Sequence, residues 1–539
     1  MSEEVSFQSK THADGLQSSS CTVASISARE LLLLSVLIAL VIIPRIAWID
    51  LRPLHHDEGV NFFFLEQIAR IGFYQYSHEN YHGPLFFYLT ALSRSLFGDG
   101  VLSLRLSSII AGIIVCFIPS LFFRRTLSLI PLTTTTLLLA VSGSGVFHSR
   151  YAIHEILLLL CFLSMASATA IFFRERRPSL SIGGVAAVSA SLCFATKETT
   201  LIVGLATVIS AAVVFGPSRV SRRIVELFYF GGWWIFGSVF LIIILFSGGF
   251  QWSAGLREFF IAFSQWISRG IGDTGHFKPW SYYILLLWQT EPVLLLAPLI
   301  PILGLIPSVR SALGDSFHYI TFFSFVGSIV LAIQSAIPYK MPWLVIQISG
   351  PLIISVGITL GIFIEKILSN RQLSLFVRSI LLSLLTLPVL LHAYFMIQRN
   401  FVMPYGSQNP FSYVHTDAGM LRLVERLSPM LARDPSLTLL IGVSSYWPLP
   451  YYLREFGAGQ LVYQHAAEIT DQLFSHSLIL IDKEISVQLP ANPCFQQEAY
   501  RLSDAQESYL LINLCQEEPL GSGSKTPPHD GTKSLGKAH

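Results

Sequence analysis

Five short polar clusters interrupt an otherwise apolar chain, and they hold nearly all the residues able to do chemistry. The first is Leu54-His55-His56-Asp57-Glu58-Gly59, followed by Ser77-His78-Glu79-Asn80-Tyr81-His82-Gly83-Pro84. Two acids and two histidines abut there, and burial with mutual repulsion raises a carboxylate towards general-base range. A solvated loop, or Asp57 as a helix N-cap, is the structural alternative. The second cluster is His148-Ser149-Arg150-Tyr151-Ala152-Ile153-His154-Glu155. On a helix Arg150 and Glu155 do not share one face, while His154 is the i+4 neighbour of Arg150. The third, Ala195-Thr196-Lys197-Glu198-Thr199, sets opposite charges side by side, a functional pair or a cap of span ends. In the fourth, Gly270 to Trp280, glycines permit close backbone approach while His276 and Lys278 supply cationic groups for an anion. The fifth is Ile337-Pro338-Tyr339-Lys340-Met341-Pro342-Trp343, a lysine between two prolines with Tyr339 and Trp343 as interfacial aromatics. Snorkelling of Lys340 is the simpler alternative.

The elements that position these clusters follow from composition. Of 539 residues, 52% are hydrophobic and 13% charged, against roughly 25% charged in a soluble domain. Mean hydropathy is +0.58. An ordinary cytosolic enzyme and a disordered scaffold are thereby excluded. A net charge of +2, from 35 basic and 33 acidic residues, leaves no footprint for nucleic acid. Six cysteines without a CxxC spacing exclude a zinc ribbon or a thioredoxin-like motif. The composition is that of a polytopic protein whose main partner is the lipid bilayer.

A membrane-spanning helix needs about 20 apolar residues. Charge-free runs occupy 106–123, 126–149, 156–173, 178–196, 199–218, 227–256, 292–309, 316–339, 341–364 and 379–398; with 31–49 they predict eleven spans. With the N-terminus inside, Arg124/Arg125, Arg174/Arg176/Arg177, Arg219/Arg222/Arg223, Arg310 and Lys366/Arg371/Arg378 all fall on the inner side. The five polar clusters then face outwards, as does everything after residue 399. Segment 84–97 is short and carries Arg94; as a further span it would invert every later loop, so it is expected as an amphipathic surface helix. The stretch 281–290 is likewise too short to span.

The expected organisation is a polar cytoplasmic tail at 1–30 with no cleavage site, a transmembrane region at 31–398, an outer α/β domain at 399–518 and a disordered tail at 519–539. In the outer domain 417–433 has helical periodicity, and 437–443, 477–481 and 509–514 read as buried strands. Cys494 and Cys515 lie there, free to pair in an oxidising compartment or to stay as buried thiols. No internal repeat is visible. Five outer loops, each bringing acids or isolated cations to one face, suggest one composite site. A transporter would instead show mid-span charge, broken helices or inverted repeats, and mid-span charge is nearly absent from these runs.

The order of an apolar span, HHDEG, HGPLFFYLTAL and LSLRLSSIIAGI resembles the GT-C class of polytopic glycosyltransferases. That class includes protein O-mannosyltransferases and the lipid A aminoarabinose transferase. SRYAIHE, ATKET, GHFKPWSYY, YKMPW, NPFSYVHTD and YWPLPYYLREF are closer to its flippase-activity-associated, mannosyltransferase-like branch, over roughly 30–460. The resemblance implies an all-α polytopic GT-C fold with amphipathic helices in the first outer loop, joined to the outer α/β domain. It implies a sugar transfer from a polyprenyl-phosphate donor to a glycan, lipid or protein hydroxyl, on the outer face of the cytoplasmic (inner) membrane. The first-loop acid of the class matches Asp57, with Glu58 beside it; the second-loop acid matches Glu155; Lys340 corresponds to the lysine that meets the lipid phosphate.

The residue types suit that chemistry. Attack by a hydroxyl on the anomeric carbon, with inversion, needs one base. A leaving phosphate, with its second pKa about 6, needs no general acid, only cations such as Lys340, Lys278, His276 and Arg150. His56, His82, Lys197, Glu198 and Tyr339 complete the expected substrate-binding set. A divalent cation could bind the histidine-rich first loop, but no spacing specifies a metal site. The alternative functions are a non-catalytic, flippase-associated protein or a scaffold of lipid-linked glycan assembly; a scaffold has no need of adjacent carboxylates near lipid.

Overall fold

Every one of the eleven apolar runs contains helix, but not every run is one unbroken helix. The computed structural model describes residues 28–80, 82–272, 276–464, 475–488, 493–503 and 506–515. The tails expected at either end, and residues 273–275 of the glycine-rich loop, lie outside those. Among the described residues five helices are long and apolar enough to cross a bilayer: Val101–Phe123, Glu155–Arg174, Pro307–Ala336, Pro342–Ser369 and Leu375–Val402. Three shorter apolar helices cover Leu31–Ile46, Leu180–Phe194 and Gly232–Phe246.

The remaining runs are bent pairs. Leu129–Ala140 and Gly143–Ser149 meet at 60°, Thr200–Phe215 and Pro217–Phe230 at 119°, and Tyr282–Thr290 and Pro292–Leu303 at 118°. The local sequence explains the breaks. Gly216 takes a φ of +88° and Pro217 follows it; Pro292 opens a new helix because it lacks the N–H an ongoing helix would use. Ser142 caps the next segment by accepting a bond from the Gly145 N–H, 3.0 Å away. The stretch at 281–290 is thus half of a bent pair, not an independent surface helix. Helices do break at three points, and the buried charges Arg45, Arg105 and Glu291 stand near helix ends or at a break.

Helix Pro84–Phe97 is two-sided, as the sequence implies. Phe86, Phe87, Thr90 and Ser93 are buried, and Ser93 Oγ donates to the Ser103 carbonyl at 2.7 Å on helix Val101–Phe123. Leu92, Leu96 and Phe97 stay exposed, the face an interfacial helix turns to lipid.

The C-terminal part is a five-stranded mixed sheet of β1 (Leu439–Gly442), β2 (Leu461–Tyr463), β3 (Leu478–Asp482), β4 (Phe495–Ser503) and β5 (Gln506–Asn513), in the order β2-β1-β3-β5-β4. β1 pairs in parallel with β2 and β3, while β5 runs antiparallel to both β3 and β4. Helix Ala418–Arg433, capped by Asp417, lays Met420, Leu423, Leu427 and Leu431 onto the sheet. Cys494 and Cys515 are joined as a disulfide. Strands β2 and β4 are not among those the sequence marks: β2 is three residues long, and FQQEAYRLS is an edge strand with polar residues on both faces, so neither has the apolar run of β1, β3 and β5.

This domain is bolted to the loop that follows the first apolar helix. Thr416 Oγ1 donates to the Leu54 carbonyl at 2.6 Å, and the Leu54 N–H donates to Tyr452 Oη at 2.8 Å. A Cβ on Gly59 would stand 2.7 Å from Pro448 Cα, so helix His56–Ile71 can lie against the Trp447-Pro448 segment only with glycine there.

Candidate active site

The two acids of HHDEG have opposite fates because they occupy successive positions in one helical turn. Helix His56–Ile71 begins after His55, whose Nδ1 accepts the Asp57 N–H at 3.0 Å. With Nδ1 so used, Nε2 carries the hydrogen and donates to the Tyr413 carbonyl at 2.6 Å. Glu58 turns inwards. Its oxygens accept Arg105 Nε and Nη2, both at 2.7 Å, the Ala152 N–H at 2.8 Å and the His55 N–H at 2.9 Å. Burial would raise its pKa, yet the Arg105 charge and hydrogen bonds hold it below the ordinary carboxylate value. Glu58 was expected to be catalytic; the geometry corrects that to positioning, because every oxygen is committed. Asp57 turns outwards with 40% of its side chain exposed, 3.9 Å from the Nδ1 of the neutral His55 ring, and makes no ion pair like that of Glu58. It is the first-loop acid left free to take a proton.

The polar loops converge through Tyr413, 358 residues distant in sequence from His55. His276 Nδ1 bonds Tyr413 Oη, and Lys278 Nζ stands 4.3 Å from the Tyr413 ring centre. Trp343 meets the Tyr413 ring edge-on at 6.3 Å, and Tyr339 meets His276 at 5.2 Å. Phe277 and Tyr339 form an antiparallel bridge between the fourth and fifth loops. Lys278 Nζ donates to the Lys340 carbonyl at 2.9 Å, and Lys340 Nζ donates back to the Lys278 carbonyl at 3.1 Å and to that of Ile337. The two lysines are a buckle. Burial lowers both pKa values, and at Lys278 the charge of Lys340 lowers it further. His276 is lowered by burial and Lys278, with Asp57 acting in the opposite direction. His56 reaches the outer domain, its Nδ1 lying 3.2 Å from Ser445 Oγ.

A second group forms under the first. Lys197 Nζ pairs with Glu155, both buried. His82 Nδ1 lies 3.9 Å from Glu198 Oε2, and burial pushes the Glu198 pKa up to about 8. The His82 ring packs 4.8 Å from that of His154, which rests on Phe86 at 4.5 Å. Backbone pairing fixes this assembly: the Gly83 N–H donates to the Thr196 carbonyl at 3.1 Å and the Leu85 N–H to that of Ala195 at 2.9 Å. Tyr151 links the groups, since its buried hydroxyl feels the charges of Asp57, Glu58 and Glu155 together.

Arg150 is not brought to Asp57, which corrects its expected place beside a leaving phosphate. Its guanidinium donates to the carbonyls of Pro44, Ala47 and Trp48 at 3.0, 2.6 and 2.6 Å. Those carbonyls end the first apolar helix and need donors. Arg105, Tyr151 and Tyr413 were missed as functional residues. A lone arginine opening an apolar run was a usable signal for Arg105; nothing local marks Tyr413. Among the described residues no three His, Cys, Asp or Glu side chains converge as a metal-holding group.

Residues 81–247 match the family described as dolichyl-phosphate-mannose-protein mannosyltransferase. Comparison with curated protein sequences gives no match. Among solved structures, ArnT from Cupriavidus metallidurans bound to undecaprenyl phosphate aligns with a TM-score of 0.60 at 13% identity, over 92% of this chain and 100% of that one. Its apo form aligns at 0.60 and 14%, over 91% and 98%. The oligosaccharyltransferase from Archaeoglobus fulgidus, tethered to an acceptor peptide, aligns at 0.52 and 12%, over 84% and 69%. At such identities the likeness concerns the fold. The chain is a helical membrane protein of the GT-C fold, with a segment at 81–247 matching the protein-mannosyltransferase family.

Proposed function

We propose that the protein is a membrane glycosyltransferase that moves a sugar from a polyprenyl-phosphate donor to an acceptor hydroxyl on the outer face, with inversion. The observation that carries this reading is the division of labour in HHDEG: Glu58 is consumed by Arg105, while Asp57 stays 40% exposed and acts electrostatically on His276, which Tyr413 joins to Lys278. Asp57 takes the proton from the acceptor hydroxyl as it attacks the anomeric carbon. The carbon–oxygen bond to the lipid phosphate breaks, and the phosphate leaves towards His276 and the Lys278–Lys340 buckle, where positive charge offsets its own. His56, His82, Tyr339 and the Glu155–Lys197–Glu198 group border the substrate space. The fold shared with an enzyme crystallised with undecaprenyl phosphate supports a lipid-linked donor, and the family match favours a hexose such as mannose.

The test is Asp57→Asn, which removes the base without changing side-chain volume. Transfer from a polyprenyl-phosphate sugar should fall by about a hundredfold or more, with membrane insertion and expression unchanged. Near-normal transfer would reject Asp57 as base; normal lipid-linked sugar movement in a variant without transfer would favour the flippase-associated reading.

A further inference from the structure

Glu291 sits in the break between Tyr282–Thr290 and Pro292–Leu303, fully buried in the helical body. It faces the break of another bent pair. Ser142 Oγ and Ser144 Oγ both donate to its carboxylate, the latter at 2.9 Å, and the Ser144 N–H lies 3.4 Å from Oε1. Ser349 Oγ, on helix Val345–Ser369, stands 3.0 Å from Ser144 Oγ, and the Ser142 and Ser144 hydroxyls are 3.3 Å apart. Five side-chain oxygens from three segments therefore meet where two helices are interrupted.

The charge of this group is not balanced by an ion pair. A carboxylate buried in the body of a membrane protein calls for hydrogen-bond donors and, where ionised, a positive partner. Among the described residues no lysine or arginine pairs with Glu291. The buried Arg45 gives its bonds to the carbonyls of Val41, Leu139 and Ala140 and to Cys116 Sγ. His148, on the neighbouring short helix, directs Nδ1 to the Ser144 carbonyl at 2.8 Å. His392 interacts electrostatically with Glu291; its Nδ1 bonds the Pro388 carbonyl at 3.0 Å, and its Nε2 is buried with no partner.

We propose that Glu291, Ser142, Ser144 and Ser349 form a binding site for a small monovalent cation of the sodium type, which ties the two broken helices together. An all-oxygen set selects a hard cation. One carboxylate supplies one negative charge, too few for the several carboxylates that a calcium site gathers. The Ser142 and Ser144 hydroxyls donate their hydrogens to Glu291, and with Ser144 so used Ser349 donates to Ser144, which leaves hydroxyl lone pairs for the ion. Interrupted helices with polar groups at the break are where membrane proteins hold such ions. The site uses none of the side chains assigned to sugar transfer.

The experiment is thermal unfolding of the purified full-length protein in detergent, with sodium chloride titrated against choline chloride at constant ionic strength and pH. The melting temperature should rise with sodium and saturate, as for a ligand bound only by the folded state. The sodium-dependent rise should vanish in Glu291→Gln and move to higher sodium in Ser144→Ala. Identical curves in the two salts for the unaltered protein would overturn the proposal. So would a sodium response retained in Glu291→Gln, or a melting temperature that follows pH but ignores sodium, which would assign a proton to Glu291 instead.

Discussion

Single residues in this site are told apart by what already occupies their polar atoms. Glu58 and Arg105 form a fully buried bidentate pair, and removing one partner of such a pair strands the other charge. Arg105→Met should therefore destabilise the protein by about 3–5 kcal/mol, read as a lower melting temperature, and adding Glu58→Gln should recover part of the loss. Glu198 behaves differently, since burial lifts its pKa from 4.5 to about 8. Between those values the folded chain holds a proton that the unfolded chain has released, so stability falls as pH rises through the window. Glu198→Gln should remove that share of the decline. Melting curves of both proteins between about pH 5 and pH 8 check this: parallel declines would show that Glu198 is already ionised.

At the scale of elements, the loops are aligned by short backbone contacts more than by their charges. A Cβ on Gly83 would lie 2.2 Å from the Ala195 carbonyl oxygen. Gly83→Ala must therefore part the HGP and ATKET loops, displacing His82 from Glu198. Activity should drop with little change in expression, and a variant with full activity would show that this register is not needed. The Lys278–Lys340 buckle makes a sharper prediction. Because each ammonium holds the other's carbonyl, Lys278→Met and Lys340→Met should each weaken donor use by about tenfold to a hundredfold. The double variant should be little worse than either, as expected of one coupled unit. Additive losses in donor KM would mean two independent phosphate contacts.

For the molecule as a whole, the direction of the chain decides which side of the membrane the site faces, and the proposed donor requires the outer one. The eleven-span arrangement expected from the sequence would place residue 460 outside and residue 175 inside. Cysteines introduced at those two positions should label from opposite sides of sealed vesicles; labelling from one side would remove the arrangement and the outer location of the site together. The bent pair at 282–303 turns by 118° at Glu291, the residue that separates the stretch at 281–290 from the apolar run at 292–309.

The sequence by itself determined that this is a polytopic membrane protein. Bilayer thickness and the cost of burying charge leave a mark on every run of about 20 residues. It also determined the amphipathic helix after Gly83 and the helix after Asp417, whose periodicities are local, and it marked the outer loops as the place where polar residues gather. What it could not decide was which of two adjacent acids is free. That depended on Arg105 and Ala152 approaching Glu58 from other segments, and on Tyr413 drawing His55, His276 and Lys278 together across hundreds of residues. Nor could composition reveal that apolar runs are broken at Ser142, Gly216 and Glu291. Hydropathy averages over a whole span, whereas a break needs only one proline or glycine and a neighbouring element able to satisfy the exposed backbone. Tertiary structure decided those matters, because hydrogen-bond partners and charge compensation are properties of neighbours in space and not of neighbours in the chain.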